Sequence, residues 1–151
     1  MRSALPMPKP VPFAVGECFS REICFGEEMI RRFALLVGDT NPLHHNEAIA
    51  ASSRFGGMIA SGTHTSSMFF ALVADYVTSR APSLGLDITC QFRRAVRAGA
   101  VMRAEWEIVS IESKESLGGN ILIFSGRLLG PDGQIAVIGS SKTLVPWHTG
   151  N

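Results

Sequence analysis

Residues 62–80 constrain the fold of this chain most strongly, because their central part is apolar on nearly every side of a helix. A surface helix carries a single apolar stripe, whereas a helix that is apolar all round is buried. Ser61 is suited to cap such a helix at its N-terminus. A helix of about 19 residues is about 28 Å long. The rest of the chain must therefore supply a covering layer of similar length.

A covering layer is predicted directly after this helix, where the apolar residues change to a period of two. We predict a meander of four strands at residues 88–96, 101–111, 120–129 and 134–145. One face of the second strand is apolar, with Met102, Ala104, Trp106 and Ile108. Strands of about ten residues span roughly 33 Å, which matches the helix. The sequence predicts an α+β fold in which an antiparallel sheet wraps a central helix.

The segment before the central helix predicts shorter elements. Residues 14–25 alternate weakly and predict a strand, and residues 27–37 have the three-and-four spacing of a helix. Gly38 is placed to end that helix. A short helix is predicted at residues 46–51, followed by a loop over residues 52–59. The loop that separates the short helix from the central helix is therefore short.

Composition limits the class of protein. A chain of 151 residues is expected to form one domain, over residues 14–151, with a proline-rich extended arm at residues 1–13. The 14 basic and 13 acidic residues nearly balance, which argues against nucleic acid or an anionic membrane as the partner. Three widely spaced cysteines predict reduced thiols, and no apolar run reaches the roughly 20 residues of a membrane span. We expect a soluble cytoplasmic protein.

Asp39 and His44 are the first candidates for chemistry. They lie five positions apart, and Asn41-Pro42 between them forces a turn. The turn can direct both side chains into one cleft, where the carboxylate orients or deprotonates a water and the imidazole exchanges the second proton. This arrangement suits water addition to a double bond conjugated with a carbonyl. The alternative is that Asp39 only caps the turn and His44 is a buried structural residue.

Gly62 is the second candidate, because a buried helix that begins here needs acceptors for its first N–H groups. A thioester carbonyl is one such acceptor, and the helix N-terminus stabilises the enolate oxygen that forms during water addition. The alternative is an ordinary helix start in which Ser61 and Thr63 satisfy the donors. His64, two positions further, is better explained as a structural hydrogen-bonding residue than as a second base.

The remaining polar clusters are weaker candidates for functional sites. His45 adjoins His44, but no third ligand stands at suitable spacing, so we predict no metal site. Arg93, Arg94 and Arg97 fit a solvated strand face or a mouth for the phosphates of an acyl carrier. Nucleophilic serine catalysis and nucleotide-binding glycine motifs find no support in the sequence.

Three segments together identify a family resemblance. They are Gly38-Asp39-Thr40-Asn41-Pro42-Leu43-His44 within residues 33–44, Phe55-Gly56-Gly57-Met58-Ile59-Ala60-Ser61-Gly62, and Phe92-Arg93-Arg94-Ala95-Val96 followed by Gly99. The chain after its arm resembles the MaoC-like dehydratases and (R)-specific enoyl-CoA hydratases. The resemblance implies a hot-dog fold with a five-stranded sheet, and a homodimer, or a higher oligomer of dimers, whose sheets join.

The resemblance also implies a reaction and a site. The reaction is reversible syn hydration of a trans-2-enoyl-CoA to an (R)-3-hydroxyacyl-CoA, with no metal or redox cofactor. Asp39 and His44 take the catalytic positions, Asn41 supports the loop, and the Gly62 backbone amide binds the thioester carbonyl. We place Ser61 and His64 beside them at the substrate-binding site.

Two departures from the family pattern bear on the substrate. Many members have His-Gly where this chain has Ser61-Gly62, and the histidine here stands at His64. A helix serine of some enoyl-CoA hydratases aligns with Phe70, so Phe69 or Phe70 is expected to reshape the acyl pocket.

Two other functions are compatible with the same fold. The first is a thioesterase, which would use a carboxylate on or near the central helix, but the only acid of that helix, Asp75, is far from its N-terminus. The second is a non-catalytic acyl-CoA binder or a partner subunit of a larger enzyme.

Overall fold

The structure, a computed structural model, describes residues 9–147, so residues 1–8 of the predicted arm and the last four residues of the predicted domain lie outside it. The described elements are β1 (Cys18–Cys24), α1 (Glu27–Val37), a 3₁₀ turn (Pro42–His44), α2 (Glu47–Ser52), α3 (Gly62–Thr78), β2 (Leu84–Phe92), β3 (Val101–Lys114), a second 3₁₀ turn (Glu115–Leu117), β4 (Gly119–Leu129) and β5 (Ile135–Pro146). Within these residues, no helix is long and apolar enough to cross a membrane.

The five strands form one antiparallel sheet in the order β1-β3-β4-β5-β2, and the sheet wraps α3. The predicted alternation on β3 is confirmed, since Met102, Ala104, Trp106 and Ile108 are all buried. Trp106 ties the sheet to the helix, because its indole N–H donates to the Phe69 carbonyl at 3.2 Å and its ring stacks on the Phe69 ring. The predicted α+β architecture, a helix wrapped by an antiparallel sheet, is confirmed.

The position of β2 was predicted wrongly. The strand covers Leu84–Phe92 rather than residues 88–96, and it pairs with β5 at the sheet edge, so the meander holds only for β3, β4 and β5. The ladder ends after Phe92 because the backbone N–H groups of Arg93 and Arg94 both donate to the Ala136 carbonyl, at 2.7 and 3.1 Å. These arginines therefore lie in the connection after β2 and not on a strand face.

The central helix is buried on one side only in the single chain. Its buried apolar residues are Phe69, Leu72, Val73 and Val77, which pack against the sheet, and Thr78 is its last residue. The opposite side, with Ser67, Ala71 and Ala74, is exposed. The sequence overestimated the burial because alanine counts as apolar in a periodicity argument although it contributes little surface to bury.

Candidate active site

The loop after α1 is held by backbone and side-chain hydrogen bonds that follow from its sequence. Gly38 adopts a left-handed conformation with φ of 74°, as predicted for the residue that ends the helix. The Asp39 N–H then returns to the Ala34 carbonyl at 2.8 Å. Asp39 Oδ1 accepts the Asn41 N–H at 3.0 Å, and Asn41 Oδ1 accepts the Leu43 N–H at 3.1 Å. Asn41 therefore orders the turn that brings the chain to His44.

His44 is buried, and its ring orientation is set by a single backbone contact. Its Nδ1 lies 2.7 Å from the carbonyl oxygen of Ile59. Because a carbonyl only accepts, Nδ1 must carry the proton, and Nε2 of a neutral ring is left with its lone pair. That lone pair faces Asp39 Oδ2 at 3.6 Å. The structure thus brings together the two residues that the sequence singled out, with Asp39 about 30% exposed toward solvent.

His45 braces the same loop, a role the sequence analysis missed. Its Nε2 donates to the backbone carbonyl of Asp39 at 2.6 Å, whereas His44 contacts the carbonyl of Ile59 outside the loop. This contact could not be predicted from the neighbouring residues of His45, because it depends on the folded path of the loop. Among residues 9–147 there is no group of three or more histidine, cysteine or acidic side chains arranged to hold a metal ion.

The N-terminus of α3 lies close by in the chain, three residues after Ile59. Ser61 caps the helix as predicted, since its Oγ accepts the His64 N–H at 3.1 Å and its carbonyl accepts the Thr65 N–H at 2.9 Å. The Gly62 N–H, one of the free donors at a helix start, has no acceptor within the described part of the chain. The helix therefore presents an open donor at its positive end.

A cleft of about 280 Å³ runs past this helix start. Gly62, Phe92 and Ile59 line it, so the carbonyl that orients His44 belongs to a residue that also lines the cleft. A side chain at Gly62 would place its Cβ only 3.2 Å from the Phe92 ring. Glycine therefore keeps the backbone N–H accessible between the helix and the aromatic ring.

His64 lies in the core behind these groups. It is 1% exposed, its ring stacks on Phe33 at a centroid distance of 4.6 Å, and it meets the edge of Phe25 at 5.2 Å. Neither ring nitrogen has a hydrogen-bond partner within residues 9–147. Burial, and secondarily the nearby His44, lowers the pKa of His64. The sequence predicted that His64 makes structural hydrogen bonds, and this prediction is wrong for the isolated chain. A contact between His64 and the substrate stays a prediction.

A His64→Phe variant tests the cost of burying this imidazole. Phenylalanine keeps the ring stacking and removes two unpartnered polar atoms, so we expect the free energy of unfolding to rise by about 1 kcal/mol. The lowered pKa means that the unfolded chain binds a proton more readily than the folded chain as the pH falls below 6.5. The wild type should therefore lose stability with decreasing pH in that range, and the variant should lose less. Urea unfolding measured between about pH 7.5 and pH 5 checks both expectations.

His45→Gln serves as the matched control for this variant, because it also removes one histidine but leaves His64 in place. An equal flattening of the pH dependence in both variants would contradict the assignment to His64.

The two helix aromatics that depart from the family pattern pack under the sheet. Phe69 is fully buried, and Phe70 lies 5.3 Å from both the Phe69 and Trp106 ring centroids. Gly139 makes room for them, since a Cβ there would lie 2.6 Å from the Phe69 ring and 3.2 Å from the Phe70 ring.

Asp75, the only acidic residue of α3, is exposed near the end of the helix and pairs with Arg21 at 2.5 Å.

Comparison with known proteins is consistent with this arrangement. Residues 8–120, well over half of the chain, match the family model described as a MaoC like domain. The (R)-specific enoyl-CoA hydratase of Aeromonas caviae is 28% identical over 122 residues, covering 81% of this chain and 87% of the hydratase. The 3-hydroxybutyryl-CoA dehydratase of Methylorubrum extorquens is 33% identical over 82 residues, and that match spans 52% of this chain and only half of the dehydratase.

A solved structure agrees over most of the chain. The unliganded R-hydratase PhaJ1 of Pseudomonas aeruginosa superposes with a TM-score of 0.79 and 26% identity, covering 90% of this chain and 84% of the hydratase. The fold and the sequence match together define a protein with the hot-dog fold. The chain belongs to the family of MaoC-like dehydratases.

Proposed function

We propose that this protein catalyses the reversible hydration of a trans-2-enoyl-CoA to an (R)-3-hydroxyacyl-CoA, with Asp39 and His44 as its acid–base pair. The observation that carries the proposal is the placement of Asp39 Oδ2 and His44 Nε2 at 3.6 Å, each with its remaining polar atom already engaged. The names of the Aeromonas hydratase and the Methylorubrum dehydratase support the same chemistry.

The separation of the pair suits a water molecule better than a direct bond. A distance of 3.6 Å is too long for a hydrogen bond between the two groups, but one water can lie within reach of both. Ionised Asp39 Oδ2 and the neutral Nε2 of His44 both accept, so a water between them donates its two hydrogens and keeps its oxygen lone pairs free. That oxygen can then attack the β-carbon of an enoyl thioester.

The open N–H of Gly62 supplies the second requirement of the reaction. It can donate to the thioester oxygen, on which negative charge develops as water attacks C3. The water oxygen then bonds to C3, one of its protons passes to the pair, and a proton from the pair is delivered to C2, so the enolate collapses to the hydroxyacyl thioester. The positive end of α3 favours the enolate oxygen during this step.

The test of this function is the decay of enoyl-thioester absorbance when the protein is mixed with crotonyl-CoA, followed by chiral analysis of the 3-hydroxybutyryl product. We expect decay and the R product. Tight acyl-CoA binding without decay, across branched and dicarboxylic enoyl-CoAs as well, would instead identify a non-catalytic binder. Release of the CoA thiol would identify a thioesterase, a function disfavoured by the pairing of Asp75 with Arg21 away from the helix start.

We also propose that the protein acts as a homodimer joined at β2. This strand is the sheet edge next to β5, and it exposes Leu84, Leu86 and Ile88, at 61%, 41% and 62%. A nine-residue edge strand with exposed apolar residues is a template for pairing with another strand. A twofold axis across β2 would pair it antiparallel with its own copy and continue the sheet from one chain into the other.

Replacing Ile88 with arginine should separate this dimer, because it places a charge at the centre of the joined strands. Light scattering coupled to gel filtration should give about twice the chain mass of 16.3 kDa for the wild type and the single-chain mass for Ile88→Arg. Val109→Arg is the control, since Val109 is a 43% exposed apolar residue on β3. A monomeric wild type, or equal dissociation by both variants, would contradict the β2 interface.

A further inference from the structure

The arginines of the described residues fall into two groups that differ in their partners. Ten arginines lie in residues 9–147, and six of them pair with a carboxylate within 4.0 Å: Arg21, Arg31, Arg32, Arg80, Arg103 and Arg127. Ten minus six leaves four, which are Arg54, Arg93, Arg94 and Arg97. None of these four has a carboxylate partner among the described residues, and all four are exposed.

The four unpaired arginines occupy one place in the fold. Arg54, Arg93 and Arg94 line the cleft of about 280 Å³ that contains Gly62 and Phe92. Arg94 and Arg97 line an adjoining cleft of about 440 Å³, and the two clefts share Phe55, Arg94 and Ala95. The acidic residue in these linings is Asp132, in the second cleft, and its Oδ1 accepts the Gln134 N–H of a turn. The positive charge of the combined clefts is therefore largely uncompensated.

The backbone that carries these arginines is firmly held. Arg93 and Arg94 both donate their N–H groups to the Ala136 carbonyl, and Arg97 forms an antiparallel bridge with Ile59. Arg97 also donates from its guanidinium to the Phe55 carbonyl, and the Arg54 guanidinium lies 4.8 Å from the Phe55 ring centroid. Two of the four guanidinium groups thus contact Phe55, and the backbone of the other two is braced, which limits the entropy lost when they bind an anion.

We propose that Arg54, Arg93, Arg94 and Arg97 bind the phosphate groups of the CoA nucleotide. The inference rests on the proposed function, because Gly62 holds the thioester in the same cleft and the carrier must leave the site past Arg93 and Arg94. Guanidinium groups bind phosphate through paired, charge-assisted hydrogen bonds. The clefts are concave, as sites for small molecules generally are, and Phe55 adds an aromatic side chain that suits a nucleotide. We therefore expect the substrate to be a free CoA thioester.

The test compares the wild type with an Arg93→Ala, Arg94→Ala double variant on crotonyl-CoA and on crotonyl-pantetheine, which lacks the nucleotide. We expect kcat/KM for crotonyl-CoA to fall at least about tenfold further than kcat/KM for crotonyl-pantetheine, with the difference in KM. Calorimetric binding of adenosine 3′,5′-bisphosphate should weaken by about tenfold or more in the double variant. An Arg32→Ala, Arg127→Ala variant removes the same charge elsewhere and should keep both affinities.

The outcomes separate this inference from the proposed function. Suppose that no thioester is hydrated but the bisphosphate binds and the double variant loses that binding. This result would support the nucleotide site and contradict the proposed hydratase function. Equal losses on both thioesters, or equal weakening by the matched control, would overturn the site. Faster hydration of a crotonyl group on an acyl carrier protein, with the double variant impaired on that substrate alone, would overturn it in favour of a protein carrier.

Discussion

Asp39→Asn is expected to lower kcat for the hydration of crotonyl-CoA by about 10³-fold while leaving the fold intact. The amide oxygen can still accept the Asn41 N–H, which Asp39 Oδ1 accepts at 3.0 Å, so the turn is retained. The amide nitrogen replaces Oδ2, the oxygen that faces His44 Nε2, and it donates where the carboxylate accepted. Water then loses one of its two acceptors. Initial rates, with circular dichroism to verify folding, measure the effect.

Asp75→Asn is the matched control for this substitution. It removes one carboxylate from an exposed position of α3, where Asp75 pairs with Arg21, and we expect full activity. If Asp39→Asn retained activity within about fivefold of the wild type, a loss far below that typical of general acid–base catalysis, Asp39 would be a turn-capping residue only.

His44→Asn is expected to lower kcat by about 10²- to 10⁴-fold, again in a folded protein. The asparagine amide can occupy the position of Nδ1 and donate to the Ile59 carbonyl, which His44 reaches at 2.7 Å. The buried carbonyl therefore keeps a donor, and the cost of leaving it unsatisfied is avoided. The shorter side chain has no atom in the place of Nε2, so the second proton acceptor is lost.

His45→Gln is the comparison for the second substitution. Glutamine can keep the donor that reaches the Asp39 carbonyl at 2.6 Å, so we expect a loss below about tenfold, from loop positioning alone. Equal losses in His44→Asn and His45→Gln would mean that loop geometry, rather than proton transfer by His44, limits the reaction. Together with the Asp39 variants, these measurements distinguish a catalytic pair from an ordered turn.

The local features of the site were predicted from the sequence because they depend on neighbouring residues. Asn41-Pro42 restricts its own backbone, and Gly38 tolerates the left-handed conformation that ends α1. Ser61 caps α3 through a donor three residues away. The alternation on β3 identified its buried face for the same reason, since successive residues of any strand point to opposite sides.

The contacts between distant segments could not be predicted from the sequence, because they depend on the folded path of the whole chain. The Ile59 carbonyl that sets the His44 tautomer lies fifteen residues from it, and a backbone carbonyl has no side-chain signature. The place of β2 beside β5 depends on long-range pairing, so its periodicity alone put the strand four residues too late. Because of that pairing, Arg93, Arg94 and Arg97 follow the strand instead of lying on its face. Together with Arg54 they line two adjoining clefts, one of which contains Gly62 at the start of α3. Local residue chemistry therefore determined the Asp39–His44 turn and the capped start of α3, and long-range hydrogen bonding determined what surrounds them.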